Sequence, residues 1–268
     1  MACSDRMRRL IPATVIAACL LCGMAHAIPL SQEKAGLIAK NYIEARYDHR
    51  YLAYQAATEK LKIIQALDAE LIKRRLNASF THSHAIWKAA RANLLSKASP
   101  SLDAVFSVDQ LHRSYQKAMA DQLSETEADE TIAFINSMEG AFYFRAERVD
   151  AAQKAIQGYS LFVALSRSNL PEFIPLEIIQ ADLKWASEEA KNLKKPDKES
   201  VLKINEKIRV FGESQAWKKL QQIERTAALL NISQLAAEGH LHGAQGLFHQ
   251  IVSQALEEFN KAQASQDQ

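Results

Sequence analysis

Apolar residues recur at three- and four-residue steps along most of the chain. Leu61, Ile64, Leu67, Leu71 and Ile72 form one such stripe, and Ile86, Trp87, Ala90, Leu94 and Leu95 a second. Leu176, Ile179, Leu183 and Ala186 form a third, Leu220, Ile223, Ala227 and Leu230 a fourth, and Leu247, Ile251, Ala255 and Phe259 a fifth. Those steps place side chains on one face of a helix, so each stretch predicts a helix with one buried side. Glu70 with Arg74 and Glu188 with Lys191 are spaced to pair on the opposite, solvated faces.

Helix starts and stops are also legible. Ser124-x-x-Glu127 reads as a capping box, and Asp197, Ser214 and Thr81 as N-caps. Turns are expected at Ser99-Pro100-Ser101, Lys194 to Asp197, Phe211 to Ser214 and Gly239 to Gly243. The two prolines between Asn169 and Pro175 exclude helix there. The polar tail from Ala262 to Gln268 is expected to fray. The expectation is an all-α fold, a multi-helix bundle or orthogonal array of about eight helices. It occupies 28–268, with a sub-boundary near 169–175.

Composition supports the helices. Gly and Pro together are 14 of 268 residues, about 5% against a usual value of roughly 12%. An all-β fold needs more frequent turns than that. Apolar residues at 48% are too many for a disordered chain, and three cysteines are too few for a disulfide scaffold.

The cysteines, Cys3, Cys19 and Cys22, all fall in a segment of distinct character. Arg6, Arg8 and Arg9 precede 16 uncharged residues, Leu10 to Ala25, and the segment closes on Ala25-His26-Ala27. A basic start, an apolar run and a small-x-small end make a secretory signal peptide over 1–27. The run is shorter than the roughly 20 residues that span a bilayer. Ile16-Ala17-Ala18-Cys19 resembles a lipobox, but the apolar Leu20-Leu21-Cys22 that follows is unlike a polar tether, so lipidation at Cys19 is the lesser alternative. Cleavage would remove three Arg and one Asp from 33 basic and 31 acidic residues, bringing both counts to 30, and would leave no thiol. The expected location is the periplasm or the exterior of a bacterial cell. Neutrality argues against nucleic acid as a partner, because phosphate binding needs a basic surface. The mature chain carries no apolar run that reads as a transmembrane segment.

Leu123-Ser124-Glu125-Thr126-Glu127 and Phe134-Ile135-Asn136-Ser137-Met138-Glu139-Gly140 carry a family resemblance. The stretch from Tyr115 to Arg148 resembles a small domain of secreted bacterial proteins of unknown function. That domain reads Leu-Thr/Ser-x-Glu-Glu and then Phe-Tyr-x-Ser-Pro-x-Gly. Phe134, Ser137 and Gly140 fit in register, while Ile135 stands for Tyr and Met138 for Pro. The resemblance implies an exported helical protein and no catalytic residue. Ser137 can cap a following helix, Gly140 lets two helices approach closely, and Met138 is expected to let a helix run on where Pro would stop it.

Candidate chemistry is sparse. His240-Leu241-His242, in a Gly-flanked loop, could present two imidazoles to a metal if extended, with His249 two helical turns on as a third ligand. His82-Ser83-His84 is the other such pair, at an expected helix start. There is no His-Glu-x-x-His, no Gly-x-Ser-x-Gly and no Gly-rich phosphate loop, and no cofactor is implied. Glu125, Glu127, Asp129 and Glu130 suit a helix N-terminus. Tyr42, Tyr47, Tyr51 and Tyr54 crowd one segment around Arg46 and Arg50, residue types that favour interaction surfaces, and Tyr47, Tyr51 and Tyr54 are expected to share a helical face. Phe142, Tyr143 and Phe144 beside Gly140 belong to the core or line a pocket. Asn77-Ala78-Ser79 and Asn231-Ile232-Ser233 match glycosylation acceptors, which matter only in a eukaryotic secretory route.

The reading is an exported helical binding protein with a protein partner and no evident catalysis. A helical carrier of a small apolar ligand and a metal-dependent hydrolase built on the His-x-His loop are the alternatives.

Overall fold

A computed structural model describes residues 30–75, 77–165, 170–193, 196–237 and 244–266. The expected signal peptide, Cys19 and the 239–243 turn with His240 and His242 lie outside them. Ten helices are described: α1 (Gln32–Arg46), α2 (His49–Arg74), α3 (Ala85–Val105), α4 (Val108–Gln122), α5 (Glu125–Ile135), α6 (Met138–Leu165), α7 (Leu176–Leu193), α8 (Lys198–Glu213), α9 (Gln215–Ala237) and α10 (Ala244–Gln266). The described residues contain no strand. No described helix is long and apolar enough to cross a membrane.

The all-α reading holds, and the helices exceed the eight expected because several breaks carry no Gly or Pro. Asp48 caps α2 by accepting from Arg50 N–H at 2.8 Å, and Ser107 caps α4 by accepting from Gln110 N–H at 3.2 Å. Each splits what periodicity alone would join. The capping box at Ser124 and Glu127 forms in both directions, with Ser124 N–H donating to Glu127 Oε2 at 2.9 Å. Asp197 and Ser214 cap α8 and α9 through Ser200 N–H at 2.9 Å and Trp217 N–H at 3.1 Å.

Four local expectations are corrected. Helix α3 runs through Pro100. Its last turn is held from two sides, by Lys60 Nζ on Asp103 at 2.7 Å and by Asn231 Nδ2 on Val105 C=O at 2.9 Å. The cap of α3 is His84, whose Nδ1 accepts from Ile86 N–H at 3.2 Å; the Thr81 hydroxyl bonds Ser83 instead. The tail stays helical to Gln266. Met138 does not extend a helix, because α5 stops at Ile135 and Met138 opens α6 at a position where Pro is tolerated.

Three apolar cores organise the chain. The first joins α1, α4, α5 and α9 with the start of α6 and Phe211 of α8. The second joins the C-terminal half of α2 to α3 and α10, and there Phe80 stacks on Phe259 at 4.3 Å. The third joins the N-terminal half of α2 to the C-terminal half of α6 and to α7. The predicted stripes face these cores, except that Ile72 and Leu176 are exposed. Tyr159, fully buried, accepts from the N–H groups of Phe173 and Ile174 at 3.2 and 3.1 Å, which pins the Pro-bounded segment 170–175.

The α5–α6 corner depends on two residues of the motif. Ser137 Oγ donates to Phe134 C=O at 2.8 Å and accepts from Gly140 N–H at 3.0 Å. A Cβ at Gly140 would sit 1.9 Å from the Phe134 carbonyl oxygen. No side chain fits there unless the corner opens. Gly140→Ala is therefore expected to destabilise by about 1–3 kcal/mol, as overpacking does. Urea unfolding of the variant against the parent measures this, and an unchanged midpoint would refute it.

Candidate functional site

The tyrosine-rich segment is divided by the α1–α2 break. Tyr42 and Arg46 lie on α1, Tyr47 sits in extended backbone at φ −113° and ψ 132°, and Tyr51 and Tyr54 lie on α2. The expected common face of Tyr47, Tyr51 and Tyr54 does not form, because the chain turns before Asp48. Tyr47 and Tyr51 remain neighbours, with rings 6.0 Å apart. Tyr54 points into the third core, 5.5 Å from the Tyr159 ring, and donates to Asp182 Oδ2 at 3.0 Å. The same carboxylate takes Arg50 Nε at 2.8 Å, and the Arg50 guanidinium lies 4.0 Å over the Trp185 ring. This clamp fastens α7 to α2.

A polar network gathers around Tyr42 and Arg46. Tyr42, 1% exposed, donates to Glu224 Oε1 at 2.5 Å. Arg46 approaches the same oxygen with Nε at 3.4 Å and bonds Glu147 through Nη1 at 2.8 Å. The hydroxyls of Tyr47 and Tyr115 meet at 2.7 Å. Tyr115, Glu147 and Glu224 come from α4, α6 and α9, so no local pattern around the tyrosines announces them. Burial pushes the phenols of Tyr42, Tyr47, Tyr51, Tyr54 and Tyr115 above their ordinary value, so all stay protonated donors at neutral pH.

Beside this network a cleft of about 420 Å³ opens between α2 and α6. Tyr51, Gln55 and Thr58 line its α2 wall, one helical face at steps of four and three. Ala151, Ala155 and Gly158 line the α6 wall. Arg46 with Glu147 and Lys154 with Asp150 border it as two ion pairs, at 2.8 and 2.6 Å. Gly158 lies in the interior of a 28-residue helix, and a Cβ there would meet nothing within 4 Å. Its lack of a side chain is not required by packing. A side chain there would enter open space at the cleft.

A second cavity of about 120 Å³ is walled by Phe134, Tyr143, Phe211 and Trp217, with Ile208 and Gly212 at its edge. Phe134 stacks on Phe211 at 3.9 Å, and Tyr143 meets Trp217 edge-on at 5.9 Å. Phe144 is buried against Tyr42 at 5.5 Å, and Phe142 is half-buried; neither lines this cavity.

Of the three histidines considered for a metal, only His249 is described, and it is exposed on α10. His82 packs edge-on to Trp87 while His84 caps α3, so this pair does not converge as ligands. Among the described residues no group of three His, Cys, Asp or Glu side chains is placed to hold a metal ion. Asn231 is buried at 4% exposure and bonded to Val105, which leaves that sequon closed to modification in the folded chain, whereas Asn77 is exposed.

Comparison with family models, with curated proteins and with solved structures finds no match to this chain.

Two outcomes follow from this geometry. Below the ordinary phenol value of 10.0 the folded and unfolded chains hold the same tyrosine protons. Above it the unfolded chain releases them first, so stability falls as pH rises past about 10. Tyr115→Phe should flatten that fall in unfolding curves measured across the alkaline range, and an unchanged slope would count against the buried phenols as its source. Gly158→Ala should raise stability by up to about 1 kcal/mol, since Ala is the better helix former and its methyl enters open space. A lowered thermal midpoint would show that the position is packed.

Proposed function

We propose that the chain is an exported helical binding protein of the bacterial envelope or exterior, which takes its ligand in the cleft between α2 and α6. Export is supported by the Arg6–Ala27 pattern and by the resemblance over Tyr115–Arg148. Binding is supported chiefly by one observation: a cleft of about 420 Å³ opens between α2 and α6, lined by Tyr51, Gln55 and Thr58 on one side and by Ala151, Ala155 and the exposed Gly158 on the other. Tyr51 and Arg46, residue types common at binding hot spots, stand at the same cleft.

A second reading, carriage of a small apolar ligand, is favoured by the aromatic cavity at Phe134, Tyr143, Phe211 and Trp217. At about 120 Å³ it suits a group of few atoms, below the roughly 300 Å³ of most ligand pockets.

The test is native mass spectrometry of protein recovered from its own cells by osmotic shock. A chain beginning at Ile28 and carrying a bound mass that Tyr51→Ala loses is the expected result. An uncut chain retained in the cytosol would overturn export. A ligand-free parent protein, or a bound mass indifferent to Tyr51, would overturn binding at this cleft.

A further inference from the structure

Resting on the reading of the α2–α6 cleft as a binding site, we infer that its ligand is an uncharged saccharide of one or two rings, a size that a cleft of about 420 Å³ can seat. The charges come first. Arg46 is paired with Glu147 at 2.8 Å and shared with Glu224 at 3.4 Å, and Lys154 is paired with Asp150 at 2.6 Å, so both cations bordering the cleft already hold carboxylates. Such a border offers no unpaired cation to an anionic ligand.

The walls come next. Tyr51, Gln55 and Thr58 are uncharged, half-buried and aligned on one face of α2. The Gln55 amide both donates and accepts, and the Tyr51 phenol, kept protonated by burial, does the same. The Thr58 hydroxyl spends its proton on Tyr54 C=O at 2.7 Å and retains its lone pairs for a ligand donor. This mixture of donors and acceptors fits hydroxyl groups, each of which gives and takes. Opposite, Ala151, Ala155 and Gly158 offer methyl groups and a bare helix surface beside Tyr159, whose hydroxyl is already taken by the N–H groups of Phe173 and Ile174. A pyranose has the matching two sides, a hydroxyl edge and a C–H face.

A peptide fits less well. Both walls are helices whose backbone groups bond within their own helix, so no free edge exists for strand addition. The α6 wall at Ala151, Ala155 and Gly158 presents only methyl groups and a bare glycine to an anchoring side chain.

The same hydroxyl chemistry could come from a free disaccharide or from a glycan strand. The full mature chain is titrated by NMR with cellobiose, maltose and N,N′-diacetylchitobiose, and with the peptide acetyl-Ala-Ala-amide. Sedimentation with insoluble cellulose and chitin tests the polymer. Saturable binding of a disaccharide is expected, weakened at least about tenfold by Tyr51→Ala and likewise by Gly158→Leu, whose side chain would intrude into the cleft. Thermal unfolding of both variants confirms that they remain folded. Retention on the polymer alone, lost in Gly158→Leu, supports the inference with the strand as the source. Saccharide binding indifferent to Gly158→Leu, or none at all, overturns it. If the peptide instead binds and Gly158→Leu blocks it, the saccharide falls while the cleft stands as a binding site. If nothing binds and the natively recovered protein carries no bound mass, both fall.

Discussion

Arg46 meets two carboxylates from two different helices, Glu147 on α6 and Glu224 on α9. Either carboxylate alone would balance the half-buried guanidinium, whereas loss of Arg46 would leave both without their shared cation. The Glu224 oxygen is also the one acceptor given to the buried Tyr42 hydroxyl. A phenol in that position without a partner would itself be destabilising. The last turn of α1, the middle of α9 and the start of α6 are therefore held in one relation by one side chain. Because Arg46 and Glu147 also border the α2–α6 cleft, the shape of the cleft is inherited from the first core.

The two longest helices carry that relation outward. At about 1.5 Å per residue, α2 and α6 span roughly 39 and 42 Å, too long for either to serve one core. Helix α2 gives Tyr54, Ala57 and Leu61 to the third core and Leu67 and Leu71 to the second, while α6 gives Phe144 to the first and Ala155, Ile156 and Tyr159 to the third. A displacement of α6 would thus disturb two cores together. The cleft lies where these shared helices run side by side and the α6 residues are too small to fill the space between them.

Much of the architecture is written in local pattern. The stripe Leu61–Ile64–Leu67–Leu71 and the box at Ser124 and Glu127 depend only on spacing along one helix, and both form as read. Pro100 was misread for a non-local reason, since Lys60 and Asn231, 40 and 131 residues away in sequence, secure the turn around it. The breaks at Asp48 and Ser107 do carry the right cap residues, and a reading that weighted caps above periodicity would have found them. The candidate site is less legible. Tyr51 was singled out by composition. Glu147, Glu224 and Tyr115 join it only through tertiary packing, and no spacing in the sequence connects them.

Glycine shows most sharply where pattern stops. Gly140 and Gly158 both interrupt α6, and propensity alone marks them as equal faults. Their surroundings are opposite. Gly140 has a carbonyl oxygen 1.9 Å from where its Cβ would be, so a contact forbids the side chain. Gly158 has open space, so no contact does. The first glycine answers to the fold, whose α5–α6 corner must open to admit a side chain there. The second meets nothing inside the chain, as is also true of Gly212 and Gly246, so the fold permits a glycine at the cleft without imposing it.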